Sequence, residues 1–294
     1  MLVDAHCHAG TGDGLTGPWD TRASLTAYER RARAAGIDRT VLLACFTSDY
    51  RLANREVGAL VRARPDRYWG FAFVHGQRDR HRVGDLVDEA VRDWGARGIK
   101  LHGLDGAISR EVCEVAAVRG LPVLYDVAGR TDPLRLVATE YPQVDFVIPH
   151  LGSFADDWAA QCRVIDLLGR HPNLYVDTSG VRRFDLLVEA LRAVGPTRVL
   201  FGSDGPWLHP GLELAKIHLL GLSPRDEALV TGGNALRLMR LGPPGRARTR
   251  TTPAPRGAVP PTPAGTPSAS GRPPSGRRRP SPRPSPRPAS PRPA

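Results

Sequence analysis

NLYVDTSGVRRFDLLVEALRAVGPTRVLFGSD, residues 173–204, carries the pattern that decides the fold. An apolar run, Leu174–Val176, ends on Asp177 and Thr178; an amphipathic stretch, Phe184–Ala193, follows; a second apolar run then ends on Asp204 before Gly-Pro. The same sentence is written repeatedly upstream. Apolar runs occur at LVDAH (2–6), TVLLACF (40–46), YWGFAFV (68–74), GIKLH (98–102), PVLYDV (122–127) and VDFVIPH (144–150), which with the opening pair makes eight. Helical patterns stand between them: Ser24–Ala35, Leu52–Arg64, Val83–Trp94, Arg110–Arg119, Pro133–Glu140 and Asp157–Leu168, with Leu212–Leu220 and Pro224–Arg240 after the last strand. Alternating strand and helix predicts a parallel sheet with right-handed crossovers. Eight units in this length predict a closed α/β barrel of the (β/α)8 TIM type. A doubly wound open sheet is the alternative, but HAGTGDGLTG (8–17) lacks the G-x-G-x-x-G phosphate loop.

Composition divides the chain at Leu241. Residues 242–294 are Pro, Ser, Thr, Gly, Ala and Arg with one large apolar residue, Val259, eleven arginines and no acid. Of 41 basic residues 30 remain in residues 1–241, against 30 acidic ones, so the net charge of +11 belongs to the tail and the body is formally neutral. Such a tail cannot bury enough apolar surface to offset its ordering entropy and is expected to be disordered. It suits at most a weak, non-specific contact with an anion or nucleic acid, and a solvated appendage is the alternative. The neutral body argues against a nucleic-acid groove. No stretch approaches a membrane span, no secretory signal is visible, and the four cysteines form no C-x-x-C pair. A cytoplasmic protein acting on a small molecule, as a monomer or homodimer, is expected.

In a barrel enzyme, chemistry gathers at the carboxyl ends of the strands. Here those ends carry His6 and His8, Lys100 and His102, Asp126, His150, Asp177 and Thr178, and Asp204. Residues i and i+2 of a strand share a face, so His6 and His8 can hold one divalent ion from the same side while Cys7 points away. By the same parity Asp4 lies deeper on the face of His6, either orienting it or fixing the strand end. Asp204 can bind the metal and take a proton from water, or be a turn aspartate. His150 suits a ligand, a general base or an acid, or a structural role. Lys100 is one of only two lysines among 41 basic residues. A compact ammonium in that position can bind a substrate carboxylate, be carboxylated to bridge two metals, or snorkel at the rim. Arg130, Arg182 and Arg183 follow strands five and seven and could grip an acidic substrate.

D-x-H-x-H on the first strand, GIKLH, HLG (150–152), NLYVDTSG and LFGSDGPW (200–207) resemble the amidohydrolase-related metal-dependent hydrolases, in the branch that includes aminocarboxymuconate-semialdehyde decarboxylase. GGNALRLMRL (232–241) is similar to that family's last helix, and the resemblance spans Met1–Leu241. It implies one divalent ion, zinc first with Mn2+ or Fe2+ as alternatives. It implies His6 and His8 as ligands, Asp204 as the strand-eight carboxylate, and His150 as the group that polarises or protonates. Where the family reads Pro-x-x-x-His on strand five, PVLYDVAG has Asp126. Asp126 is then a fourth ligand that weakens the metal's Lewis acidity, or His102 moves in as the missing imidazole, or Asp126 stands behind the ligands with the metal weakly held or absent and marks a lost site. The implied activity is attack by metal-activated water on a lactone, amide or related carbonyl. Non-oxidative decarboxylation of an unsaturated or aromatic acid, and a non-catalytic relative, are the alternatives.

Overall fold

Apolar runs that alternate with amphipathic stretches bury both faces of each strand, and the chain folds accordingly into parallel strands covered by helices. The structure, a computed structural model, describes residues 1–14, 22–154 and 156–241. It begins with β1 (Val3–Thr11), β2 (Arg22–Ala23), α1 (Leu25–Ala34), β3 (Arg39–Ala44) and α2 (Tyr50–Ala63). Next come β4 (Tyr68–Gly70), β5 (Ala72–Phe73), α3 (Val83–Trp94), β6 (Ile99–His102), α4 (Arg110–Arg119) and β7 (Val123–Asp126). There follow α5 (Asp132–Glu140), β8 (Phe146–Ile148), α6 (Trp158–Arg170), β9 (Leu174–Asp177), α7 (Phe184–Val194) and β10 (Val199–Leu200). The described body ends with α8 (Pro210–His218), α9 (Pro224–Ala228) and α10 (Asn234–Leu238). The tail expected to be disordered, 242–294, lies outside the described residues.

The strands run in two hydrogen-bonded sets, β2-β1-β3-β4 and β5 through β10 in order. At Phe71 one strand changes partner: Phe71 N–H donates to Leu42 O (3.1 Å) and Ala72 N–H to Gly98 O (2.9 Å), so β4 and β5 are one barrel strand. The other seam closes through Ala5 N–H to Phe201 O (3.0 Å), Asp204 N–H to His6 O (2.7 Å) and His8 N–H to Gly205 O (2.6 Å). Setting aside β2, a short antiparallel addition at Gly10–Thr11, the result is the predicted closed eight-stranded barrel.

Inside the barrel the amino-terminal half is apolar. Val3, Ala5, Val41, Leu124, Val147 and Leu200 meet there, and Ala235, Leu238 and Met239 seal the floor. The predicted helix Pro224–Arg240 is instead α9 and α10, joined by a widened turn at Leu229–Gly233. A Cβ at Gly232 would collide with the Met1 carbonyl, and Asn234 Nδ2 donates to Pro196 O and Val199 O at 2.7 Å, so the turn is pinned to the barrel's lower rim. Among the described residues no helix is long and apolar enough to cross a membrane.

One strand departs from simple parity. Pairing of β1 with β3 shifts between Asp4 and Cys7, where three steps on β1 face two on β3. This bulge lets Ala5 fill the floor while His6 and His8 also face inward. It corrects the expectation for Asp4, which points outward instead. Asp4 Oδ1 accepts from His6 N–H (3.1 Å) and Ser203 N–H (2.8 Å), and Oδ2 accepts from Tyr28 OH (2.7 Å) and the Ser203 hydroxyl. Asp4 therefore fixes strand ends and touches no imidazole ring. Removing a shared acceptor strands several buried donors, each worth about 1–3 kcal/mol. Asp4→Ala is expected to lower the unfolding free energy by roughly 3 kcal/mol in urea titrations at pH 7, and the bound metal should weaken with it.

Candidate metal centre and active site

His6 and His8 are buried and present their Nε2 atoms to one point, 3.2 Å apart. Asp204 Oδ1 stands 3.5 Å from the first and 3.6 Å from the second. These three ligand atoms all lie within 4.8 Å of one another. The backbone fixes this set: Asp204 N–H is bonded to His6 O, and Asp204 itself adopts φ 54°, a left-handed conformation that a non-glycine residue rarely takes and that aims its carboxylate at the imidazoles.

Hydrogen bonding on the far side of each ring decides which nitrogen bears the proton. His8 Nδ1 lies 2.7 Å from the Ala44 carbonyl, which can only accept, so Nδ1 carries the hydrogen. His6 Nδ1 lies 2.9 Å from Asp177 Oδ2 and donates to it. Both Nε2 atoms are then bare lone pairs facing each other at 3.2 Å, with a carboxylate oxygen beside them. Three electron-rich atoms so placed repel unless a cation joins them. Tetrahedral zinc, with Zn–N of about 2.0–2.1 Å, separates its nitrogen ligands by roughly 3.3 Å. The donor set fits one divalent ion, and the carboxylate–imidazole pair Asp177–His6 has the form of a metal ligand oriented from behind.

Asp126 is not in this set, contrary to the expectation of a fourth ligand. Its Oδ2 is 3.1 Å from His102 Nε2 and 3.5 Å from His150 Nε2, and its Oδ1 accepts from Ala128 N–H at 2.8 Å. His102 Nδ1 accepts from Leu104 N–H (3.1 Å), so its Nε2 donates to Asp126 and cannot serve as a replacement ligand in this tautomer. Burial works against the Asp126 carboxylate, but the charges of His102, His150 and Lys100 hold it well below the usual range. His150 lies in a left-handed turn after β8 (φ 58°), with its ring 5.3 Å from that of His6 and its Nδ1 donating to Ser179 O at 2.7 Å. Lys100 is buried on the inward face it shares with His102.

Arg182 and Arg183 are engaged elsewhere. Arg182 Nε meets Asp156 at 2.6 Å with 70% of its side chain exposed, and Arg183 pairs with Asp185 at the start of α7. Arg130 reaches Gly103 O at 3.4 Å. Sequence reading passed over the aromatic walls: Trp207 lies 4.6 Å from the His8 ring, Phe46 4.7 Å from His102 and Phe154 5.1 Å from His150. It also passed over Ser179, whose hydroxyl is 2.5 Å from Asp177 Oδ1 and 3.1 Å from His150 Nδ1. Trp207 closes the quoted GSDGPW and Ser179 the DTS of strand seven, so the signal was their place one turn beyond the acidic strand ends.

The sequence model of the amidohydrolase family matches residues 3–241. The chain belongs to the amidohydrolase family. The chain is therefore an amidohydrolase-family enzyme, and the strand-end set just described is its candidate site. No curated protein matches the chain. Among solved structures it is similar to 5-carboxyvanillate decarboxylase from Sphingomonas paucimobilis, at 15% identity and TM-score 0.62, covering 82% of this chain and 99% of that one. It is similar to a dihydroxybenzoic acid decarboxylase from Polaromonas sp. JS666 with bound manganese, at 17% identity and TM-score 0.63 over 82% and 97% of the two chains. It is also similar to an amidohydrolase from Burkholderia multivorans with bound zinc, at 18% identity and TM-score 0.68 over 82% and 100%. These likenesses establish the barrel fold.

Two outcomes follow from the geometry. Protein purified without chelator should bind about one equivalent of Zn2+ or Mn2+ by calorimetry and elemental analysis. His6→Ala, His8→Ala and Asp204→Ala should each lose it, whereas Asp126→Ala should retain it. The second outcome concerns pH. Burial, then the charge of Lys100, lowers the His6 pKa to about 4 against the pull of Asp177, and burial pushes His8 well below 6.5. Stability from such depressed bases is present above 6.5 and lost as pH falls through the folded values. Burial raises Asp4 to about 6, so its contribution has the opposite sign and is lost as pH rises through that value. His6 and Asp4 displace by similar amounts, leaving His8 to set the direction. Metal-free protein should thus lose stability in urea between pH 6.5 and 4, and His8→Asn should flatten that slope.

Proposed function

We propose that the protein is a divalent-metal-dependent enzyme that removes CO2 from a planar, unsaturated or aromatic acid. The observation that carries this reading is the convergence of two proton-free Nε2 atoms and one carboxylate beneath aromatic walls of Phe46 and Trp207. The similarity to aromatic-acid decarboxylases supports it, as does the absence of a second close set of His, Cys, Asp or Glu ligands among the described residues.

His6, His8 and Asp204 would hold the ion, which when bound attracts substrate oxygens and draws electron density away from the carbon that loses CO2. The remaining work falls to the chain's own groups. Phe46 and Trp207 stack a flat substrate and exclude water from it. His150 donates from Nδ1 to Ser179 O, so its Nε2 is the atom able to carry the transferable proton, and Asp126 Oδ2 faces that atom at 3.5 Å to stabilise the imidazolium. As the C–C bond to the carboxylate breaks, its electron pair stays on the substrate carbon and takes the proton from His150 Nε2, and CO2 departs. His150 is then reprotonated from solvent. His102, locked as a donor to Asp126, keeps that carboxylate in place.

Hydrolysis is the second reading. One observation favours it: Asp204 sits directly against both imidazoles and could take a proton from water there. The two readings part in one experiment. Metal-loaded protein is incubated with a panel of hydroxybenzoates and unsaturated acids, following CO2, and with lactones and amides, following acid release. CO2 release from a planar acid is expected, falling roughly 100- to 10,000-fold in His150→Gln with metal content unchanged. Acid release without CO2 would refute decarboxylation and assign hydrolysis instead.

A further inference from the structure

Two donors at the centre have no acceptor supplied by the chain. Lys100 is 1% exposed and enters none of the hydrogen bonds or ion pairs of the described residues. Its ammonium stands 6.0 Å from the centre of the Phe73 ring, which is stacked on Tyr50 at 4.0 Å. Asp126, Asp204, Asp177 and Asp105 act on it through space, opposing the burial that lowers its pKa. The indole N–H of Trp207, whose ring lies 4.6 Å from that of His8, is also buried without a partner. The other lysine in the chain shows how a structural lysine is treated. Lys216 donates to Thr178 O (3.2 Å) and Val181 O (2.9 Å) and pairs with Glu213 at 2.5 Å. The four aspartates acting on Lys100 supply charge but no hydrogen bond, and a buried ammonium without an acceptor is costly, so an anionic ligand that reaches it would be favoured.

Resting on the decarboxylase reading above, we propose that Lys100 anchors a second carboxylate of the substrate, one retained through the reaction, so that the substrate is a planar dicarboxylic acid. The leaving carboxylate is the wrong partner for this ammonium. It becomes neutral CO2, so an ion pair with it would be strongest in the ground state and would raise the barrier. A retained carboxylate keeps its charge throughout and orients the ring between Phe46 and Trp207 at no such cost.

The test compares benzene-1,3-dicarboxylate with benzoate by calorimetric titration into metal-free and metal-loaded protein. Wild type should bind the dicarboxylate at least tenfold more tightly than benzoate in both forms. Lys100→Met should remove that preference, a loss of roughly 10- to 100-fold as expected for a charge-assisted hydrogen bond, with metal content unchanged. Lys100→Gln serves the same purpose should the Met variant fail to fold. Equal binding of the two acids by wild type overturns the proposal, since it needs no variant. So does a substituted protein that keeps the preference, or one that loses its metal instead, which would make Lys100 a charge-balancing group. Lys100-dependent binding of the dicarboxylate without CO2 release from any planar acid would refute the decarboxylase reading alone.

Discussion

The carboxylate of Asp4 holds the seam on which the rest of the site depends. A closed barrel must join its first and last strands, and here that junction is also where the candidate metal ligands lie. β10 is only two residues long, so beyond Leu200 the chain is held less by sheet pairing than by individual bonds. Asp4 supplies two of these, to Ser203 N and the Ser203 hydroxyl, and also accepts from His6 N and Tyr28 OH. One carboxylate thus sets the heights of His6 on one strand and of Asp204, one residue past Ser203, on the other. The bulge makes this possible. Without the extra residue, Asp4 and His6 would share a face, and the acid would crowd the centre rather than brace it from outside.

Around this frame, each ring is fixed by a partner that can take only one role. Ala44 O and Ser179 O are acceptors, Leu104 N–H is a donor, and Asp177 is a carboxylate held below its ordinary pKa, at about 2, by the charge and hydrogen bond of His6 and by His150 and Ser179 against the effect of burial. The tautomers follow without further choice. His6 and His8 show lone pairs to the centre, whereas His102 shows a hydrogen to Asp126. Two imidazoles are thereby suited to a metal and one is turned away from it, although all three stand at strand ends and look alike in the sequence.

That contrast explains what was legible beforehand. The barrel was readable because periodicity and length are properties of whole segments. The residues at the strand ends were readable because a parallel strand ends where polarity returns. Parity failed at Asp4, since a bulge is a pairing event between two strands and leaves no mark on one. The ligand set failed at Asp126, because whether a carboxylate meets a metal or an imidazole depends on which neighbour arrives first in space. Here the paired register His102↔Asp126 puts the imidazole alongside. Arg182 failed for the opposite reason: it follows strand seven as expected, but the nearby Asp156 claims its guanidinium at the surface.

The placement of Asp126 also changes the electrostatics that its presence on strand five first suggested. As a fourth ligand it would put two carboxylates on one dication and blunt the ion's pull on substrate. Bound instead to His102 and facing His150, it leaves one anionic ligand, Asp204, beside two neutral imidazoles. Its carboxylate lies on the opposite side, with Oδ2 3.1 Å from His102 Nε2 and 3.5 Å from His150 Nε2. The substitution at this slot therefore does not subtract from the centre. On the proposed reading it divides the work between a metal-holding side made by His6, His8 and Asp204 and a proton-donating side made by Asp126, His102 and His150, with Ser179 touching both His6 and His150 across the boundary. The proposed decarboxylation, which would pull electrons from one carbon and then hand that carbon a proton, calls for such a division, because a single group cannot be both electron-poor ligand and charged acid.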